Sequence, residues 1–151
     1  VSRAALDTAL GPVWVEARDG AVVASGWGEA DRAPADPLLV EALAQLAAYF
    51  ADTRQGFDLP LAHGRGGLQG QVLDALGAIP LGETRTYGDL SKALGAPAQA
   101  IGQACGANPL PILIPCHRVL SATGLGGFSA PGGVEAKVWL LRHEGAAGLL
   151  I

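Results

Sequence analysis

Asn108-Pro109-Leu110-Pro111-Ile112-Leu113-Ile114-Pro115-Cys116-His117-Arg118 is the stretch from which the rest of the chain is read. Pro109, Pro111 and Pro115 exclude helix and limit sheet pairing, so Ile112, Leu113 and Ile114 are expected to run as a short, extended, buried segment. Such a segment is a rigid mount for the thiol that follows it. Cys116 is expected to be a nucleophile and His117 its base or relay. Arg118 is either a cation favouring the thiolate or a structural ion-pair partner. Free cysteines are usually small buried hydrophobes. That reading suits Cys105; at Cys116 the adjoining histidine and arginine argue against it.

Composition bounds what the chain can be. With 151 residues, half of them hydrophobic, it can bury one good core, or a small domain beside a somewhat larger one. No apolar run approaches the roughly 20 residues needed to span a bilayer, and the N-terminus lacks a secretory pattern. A soluble, cytoplasmic protein is expected. Two cysteines do not make a disulfide framework, and a thiol nucleophile needs a reducing compartment. None of the three histidines is spaced with a cysteine as a structural zinc site requires, so no metal or other cofactor is expected. Charge is uneven: residues 1–58 carry four basic and nine acidic side chains, residues 59–151 six and five. Any nucleic-acid contact belongs to the second part, without a strongly basic surface.

Val13 to Asp19 and Ala21 to Trp27 are two β-prone runs joined at Asp19-Gly20, a dipeptide favouring a tight hairpin, with Arg3 to Thr8 as a third strand. Asp31 to Pro37 reads as a polar loop. Leu38 to Asp52 carries Leu39, Leu43, Leu46 and Phe50 at helical spacing and is expected to cover one sheet face. Glu16, Glu29 and Glu41 read as solvated. His63-Gly64-Arg65-Gly66-Gly67 is the boundary between a small α/β domain, residues 1–63, and a helical one, residues 64–151. Leu68 to Ile79 places Leu68, Val72, Leu76 and Ile79 on one helical face and stops at Pro80 and Gly82. Thr86 caps a helix ending at Leu94, with Asp89 in its first turn and Gly95 terminating it; after a three-residue turn, Pro97 opens a second helix to about Gly106.

Two short helices around a tight turn have the dimensions of a helix-turn-helix, whose second helix enters a nucleic-acid groove. Helical hairpins usually just pack, and Pro97 to Gly106 has no charge with which to hold phosphates. Ala98, Ala100, Gly102 and Ala104 are small enough for close approach to a DNA backbone or to another helix.

Pro115-Cys116-His117-Arg118-Val119, preceded by Asn108-Pro109 and Ile112-Leu113-Ile114, resembles the active-site signature of the O6-alkylguanine-DNA alkyltransferases. The likeness extends upstream through Gln71-Val72, Ile79-Pro80, Gly82-Glu83-Thr84, Thr86-Tyr87-Gly88 and Leu90. Downstream it includes Gly124, Gly126, Lys137, Leu140-Leu141 and Glu144. It implies an α/β fold in two parts: a small N-terminal antiparallel sheet plus helix, ribonuclease-H-like in topology, then a mostly helical domain holding the helix-turn-helix and the cysteine.

The resemblance also implies roles. Glu144 orients and polarises His117, which acts through a water on Cys116, since residues adjacent in sequence rarely face each other. Tyr87 donates to guanine N3, Ser129 donates to O6, and the Val119 carbonyl accepts from the exocyclic amine. Asn108 holds the turn before the extended segment, Arg118 lies near the substrate, and Lys137 sits near the pocket as a cation, unless it is only a structural ion-pair partner. The implied partner is alkylated DNA with the damaged base flipped out, and Thr86, Ala98, Gln99, Gly102 and Gln103 would face it. The thioether is stable, so each molecule acts once; a monomer is expected.

The sequence departs from the family at Gln99, where an arginine usually enters the base stack. Gln103 and Cys105 replace commoner small or apolar residues, and Arg65-Gly66-Gly67-Leu68 stands where Gly-Thr and a phenylalanine are more frequent. These departures keep other readings open: a lesion sensor without catalysis, against which Cys116 argues, or a transferase with weakened duplex binding or shifted towards single strands. A Cys-His hydrolase is disfavoured, because no oxyanion motif accompanies the thiol.

Overall fold

The computed structural model describes residues 2–51, 55–128 and 130–146, and the chain divides into two compact units, Val1–His63 and Gly64–Ile151. Among the described residues no helix is long and apolar enough to cross a membrane.

The first unit is an antiparallel sheet, β1 (Ser2–Thr8), β2 (Gly11–Arg18) and β3 (Ala21–Trp27), followed by helix α1 (Pro37–Ala51). Asp19 and Gly20, with φ of 50° and 78°, turn β2 into β3 with both central residues left-handed, as the tightest hairpin requires. Val13, Val15 and Ala17 alternate inward, and Trp14, opposite Gly26, lies on the other face. There a Cβ on residue 26 would come within 2.5 Å of the Trp14 indole, so only glycine fits beneath it. Both sheet edges are covered: Ala5 N donates to the Asp31 carbonyl at 2.9 Å, and Val22 N to that of Pro60 at 2.8 Å.

α1 forms as expected but faces differently. Its buried residues are Leu39, Ala42, Leu46 and Tyr49, while Leu43 and Phe50 stay half-buried. The helix is rotated so that Tyr49 enters the core, its ring packing against Phe50 and Phe57 with centroids 5.2 and 5.1 Å away. Ala42 lets the helix lie close where Leu43 would hold it off. Asp52, the expected last residue of this helix, lies outside the described residues. Glu16 is not solvated either; its carboxylate takes Arg3 Nε at 2.7 Å and is 12% exposed.

The second unit is mostly helical: α2 (Gly67–Gly77), α3 (Tyr87–Leu94), α4 (Ala98–Gly106) and α5 (Val134–His143), with two short strands, β4 (Arg85–Thr86) and β5 (Val119–Leu120). α2 ends at Gly77, two residues short of Ile79, which is nevertheless buried. α3 and α4 are the two helices of the helix-turn-helix. Gly95 ends α3 in the left-handed conformation, φ 65° and ψ 36°, and Pro97 caps α4 from just outside its first turn.

The segment before Cys116 is buried but not extended. The chain closes on itself, with Ile114 N donating to the Leu110 carbonyl at 2.7 Å and Ile112 at φ 72°. Asn108 clamps this loop, its Nδ2 donating to the Ile114 carbonyl at 2.8 Å and its Oδ1 accepting from Leu110 N at 2.9 Å. Prolines exclude helix but not a turn, and the amide supplies the closing contacts. A left-handed β-branched residue is costly, and here the burial of Leu110, Ile112, Leu113 and Ile114 holds it in place.

Candidate active site

A parallel ladder of two residue pairs sets the two halves of the site against each other. Arg85 pairs with Val119 and Thr86 with Leu120. β5 follows directly on the single 3-10 turn Cys116–Arg118, and β4 leads directly into Tyr87, the first residue of α3. The ladder therefore fixes the register between thiol and phenol. The start of α3 is locked in turn: Thr86 Oγ1 accepts from Asp89 N at 3.0 Å while Asp89 Oδ2 accepts from Thr86 N at 2.8 Å.

The Tyr87 ring is half-buried, and glycines approach it from two sides. A Cβ on Gly126 would lie 3.3 Å from Tyr87 Cε2, and one on Gly102 would lie 4.0 Å from Cε1. Burial raises the phenol pKa, with the Cys105 and Cys116 thiols adding to the effect, so the hydroxyl keeps its proton as a donor.

Cys116 is partly exposed. Burial around its sulfur pushes the thiol pKa up, against opposing contributions from an Asn108 hydrogen bond and the Lys137 ammonium. The resting thiol therefore keeps its proton at neutral pH. Arg118 does not offset this burial, because it is engaged elsewhere. Its Nε and Nη2 donate to Glu144 Oε1 and Oε2 at 2.8 and 3.1 Å, and its Nη1 donates to the Ile79 carbonyl at 2.7 Å. The guanidinium is thus buried and turned to Glu144 as a structural ion-pair partner, the second of the two readings its position allowed.

His117 is fully buried between that carboxylate and the loop carrying Phe128. Its Nε2 lies 2.6 Å from Glu144 Oε2, and its ring meets Phe128 edge-on, with centroids 6.4 Å apart. Burial lowers the His117 pKa, outweighing the pull of Glu144. Burial alone would raise the Glu144 carboxyl, yet hydrogen bonds and charge from His117 and Arg118 hold it down at about 2. An ionised carboxylate only accepts, so Nε2 carries the ring proton and Nδ1 presents a lone pair. Nδ1 is buried and has no hydrogen-bond partner among the described residues. A buried acceptor left in that state is what a water or a transferred proton would satisfy.

Lys137 is fully buried on α5, with Nζ donating to the Val119 carbonyl at 2.6 Å and the Gly127 carbonyl at 3.2 Å. It ties β5 to the glycine-rich loop through carbonyls instead of pairing with a carboxylate. Burial lowers its pKa, while Cys116 and Cys105 pull the other way. The Val119 carbonyl, expected to accept from guanine, already accepts from Lys137, which leaves one lone pair for a second donor. Ser129 lies outside the described residues.

Ala98, Gln99 and Gln103 are exposed on α4, and Gly102 is half-buried behind them. Cys105 is buried on the opposite face, where burial, with Cys116 adding, pushes its thiol up to about 12. Sequence reasoning missed the Ile79 and Gly127 carbonyls, which carry no side-chain signal, and Phe128, an aromatic in a glycine-rich loop that could have been noticed. Among the described residues no group of three or more His, Cys, Asp or Glu could hold a metal ion.

Known proteins resemble this chain in sequence and in fold. The family model described as the DNA-binding domain of 6-O-methylguanine DNA methyltransferase matches residues 67–146. A methylated-DNA–protein-cysteine methyltransferase from Methanosarcina acetivorans is 45% identical over 109 residues, 70% of this chain and 69% of its own length. One from Salmonella typhimurium is 49% identical over 105 residues, 67% of this chain and 60% of its own. Curated relatives are thus matched over only part of their length. Among solved structures, Mycobacterium tuberculosis OGT in complex with DNA superposes with a TM-score of 0.86 at 35% identity, covering 96% of this chain and 93% of that one. With sequence and fold in agreement, the chain belongs to the methylated-DNA–protein-cysteine methyltransferases, the O6-alkylguanine-DNA alkyltransferase family.

Proposed function

We propose that this protein repairs DNA by direct reversal, moving an alkyl group from O6 of guanine onto Cys116 in a single irreversible turnover. The observation that carries this is the buried His117–Glu144 pair with its unpartnered Nδ1, beside a partly exposed thiol. The thiol proton passes through a bridging water to His117 Nδ1, and the imidazolium so formed is stabilised by Glu144. The sulfur attacks the alkyl carbon, an S–C bond forms, and the C–O6 bond breaks with its electron pair going to guanine. Tyr87, kept protonated by its surroundings, donates to N3 of the departing base, and Ser129 donates to O6. Lys137 acts by holding the Val119 and Gly127 carbonyls. Proton removal is then coupled to substrate arrival, which suits a thiol whose pKa is raised at rest.

The base has to leave the stack to reach a sulfur mounted in a loop, and the exposed side of α4 is the surface proposed to meet the duplex. Gln99 takes the position next to the extruded base, supplying hydrogen bonds without charge. A thiol acceptor also requires reducing surroundings, which favours a cytoplasmic location.

The test is to incubate the protein with O6-methylguanine in duplex, in single strand and as free base, then weigh the Cys116 peptide. A methyl adduct on Cys116, absent in Cys116→Ser, is expected. Lesion binding with an unmodified peptide would instead assign the protein to the non-catalytic sensors.

A further inference from the structure

Helix α4 buries Ile101, Ala104 and Cys105 and exposes Ala98, Gln99, Gln103 and Gly106. It has no charged residue, and Lys92 is the sole lysine or arginine in α3 and α4 together. Gln99 and Gln103 are four residues apart, so they stand one above the other on the same face with Cβ atoms about 5–6 Å apart. Neither side-chain amide has a hydrogen-bond partner among the described residues. Gln45 and Gln69 are engaged internally, with Glu41 and the Asp58 backbone and with the Ala107 carbonyl, while Gln71 on α2 is exposed like Gln99 and Gln103; what sets those two apart is that they stand together on the second helix of the helix-turn-helix. Two long amides therefore stand free on an uncharged surface, with only alanine and glycine exposed beside them on the helix.

The chemistry of that surface suits base edges better than phosphates. A phosphate oxygen only accepts and is best met by a cation, whereas a carboxamide presents one acceptor and two donors at fixed spacing, the pattern that base edges display. We infer that Gln99 and Gln103 act as a paired amide reader, hydrogen-bonding the edges of base pairs beside the lesion, so that neighbouring sequence rather than phosphate charge decides which duplexes react fastest. This rests on the alkyl-transfer reading of Cys116. It makes the pair a specificity device and the protein context-dependent. Neutral contacts release no counterions, so binding depends only weakly on salt.

The experiment uses the full chain and a set of duplexes carrying O6-methylguanine that differ only in the flanking base pairs. Methyl transfer to Cys116 is timed at low and high salt. Free O6-methylguanine, which has no neighbours, gives each variant its own reference rate. The wild-type protein is expected to spread its duplex rates about fivefold or more across flanking sequences. Gln99→Ala and Gln103→Ala should each narrow that spread. Both positions are exposed and alanine is the best helix former, so neither change threatens the fold. Equal rates on all duplexes, a spread that survives in either variant, or a steep salt slope would each overturn the paired reader. Failure of the underlying reading looks different: no methyl appears on Cys116 from any substrate.

Discussion

Glu144 lies 26 residues beyond Arg118 and receives two of its guanidinium hydrogens, at 2.8 and 3.1 Å, while the same carboxylate holds His117 at 2.6 Å. One buried anion thus serves a cation and a base together. Glu144→Gln removes the charge, leaves Arg118 buried without its counter-ion, and turns one of the two accepting oxygens into a donor, so His117 and Arg118 can no longer both be satisfied. Expected consequences are a stability loss of about 3–5 kcal/mol in urea unfolding and a transfer rate lower by about 10²–10⁴-fold. A variant of near wild-type rate would show that the imidazole needs no orienting carboxylate.

The same group sets the response to acid. The Glu144 pKa is about 2 when folded, below its unfolded value near 4.5, so its contribution is complete above the unfolded pKa and is lost as pH falls towards 2. The His117 pKa is also lowered by folding, so the unfolded chain takes up that proton first as pH drops through about 6.5. Both effects have the same sign. Urea midpoints should fall steadily from pH 7 to pH 3, and His117→Gln should remove the upper part of the slope. A flat profile between pH 7 and pH 5 would contradict the buried neutral imidazole.

Lys137→Met keeps length and removes the ammonium, leaving the Val119 and Gly127 carbonyls without this donor. About 1–3 kcal/mol of stability should be lost for each carbonyl left unsatisfied. Methyl transfer should slow even at temperatures where the variant is fully folded, because β5 and the glycine-rich loop separate. Single-turnover rates beside a melting curve distinguish the two effects.

Asn108→Ala opens the clamp on the loop before the thiol, removing bonds to the Ile114 carbonyl and Leu110 N. Without it, the left-handed Ile112 loses its support, and the loop should relax towards the extended course that its prolines permit. Amide exchange at Ile114 should quicken, and transfer should slow by at least tenfold. Protection unchanged at Ile114 would show that burial alone holds the turn.

Gly126→Ala places a methyl group 3.3 Å from Tyr87 Cε2 at a residue with φ of 75°. Either the phenol or the loop must shift, so transfer should fall while the two-unit fold persists. The comparison with Gly67→Ala, where φ is 59° and nothing lies within 4 Å of the new Cβ, isolates the contact from the cost of a left-handed alanine. Equal rates in the two variants would rule out the steric account.

What the sequence made legible was local. Asp19-Gly20 announced its hairpin, and Thr86, Asp89 and Gly95 marked both ends of α3, because a turn or cap is decided within a few residues. Where two outcomes were locally permitted, the choice came from elsewhere. Hydropathy could not tell that α1 would bury Ala42 and Tyr49 rather than Leu43 and Phe50, since the sheet's surface decides which face fits. Three prolines excluded helix before Cys116 but left extended and turned courses both open until Asn108 closed the loop. Arg118 could be read as a tuner of the thiol or as a structural ion-pair partner, and only the fold, which brings Glu144 to it across 26 residues, decides for the second. The Val119 carbonyl was noticed, but its engagement by Lys137, 18 residues on, left no trace in residue type.

That spacing has a consequence for biosynthesis. The ribosome adds 27 residues after His117 before the imidazole can meet its carboxylate. A nascent chain that has already emitted Cys116 therefore carries it without the buried His117–Glu144 pair, which is assembled only when α5 folds back.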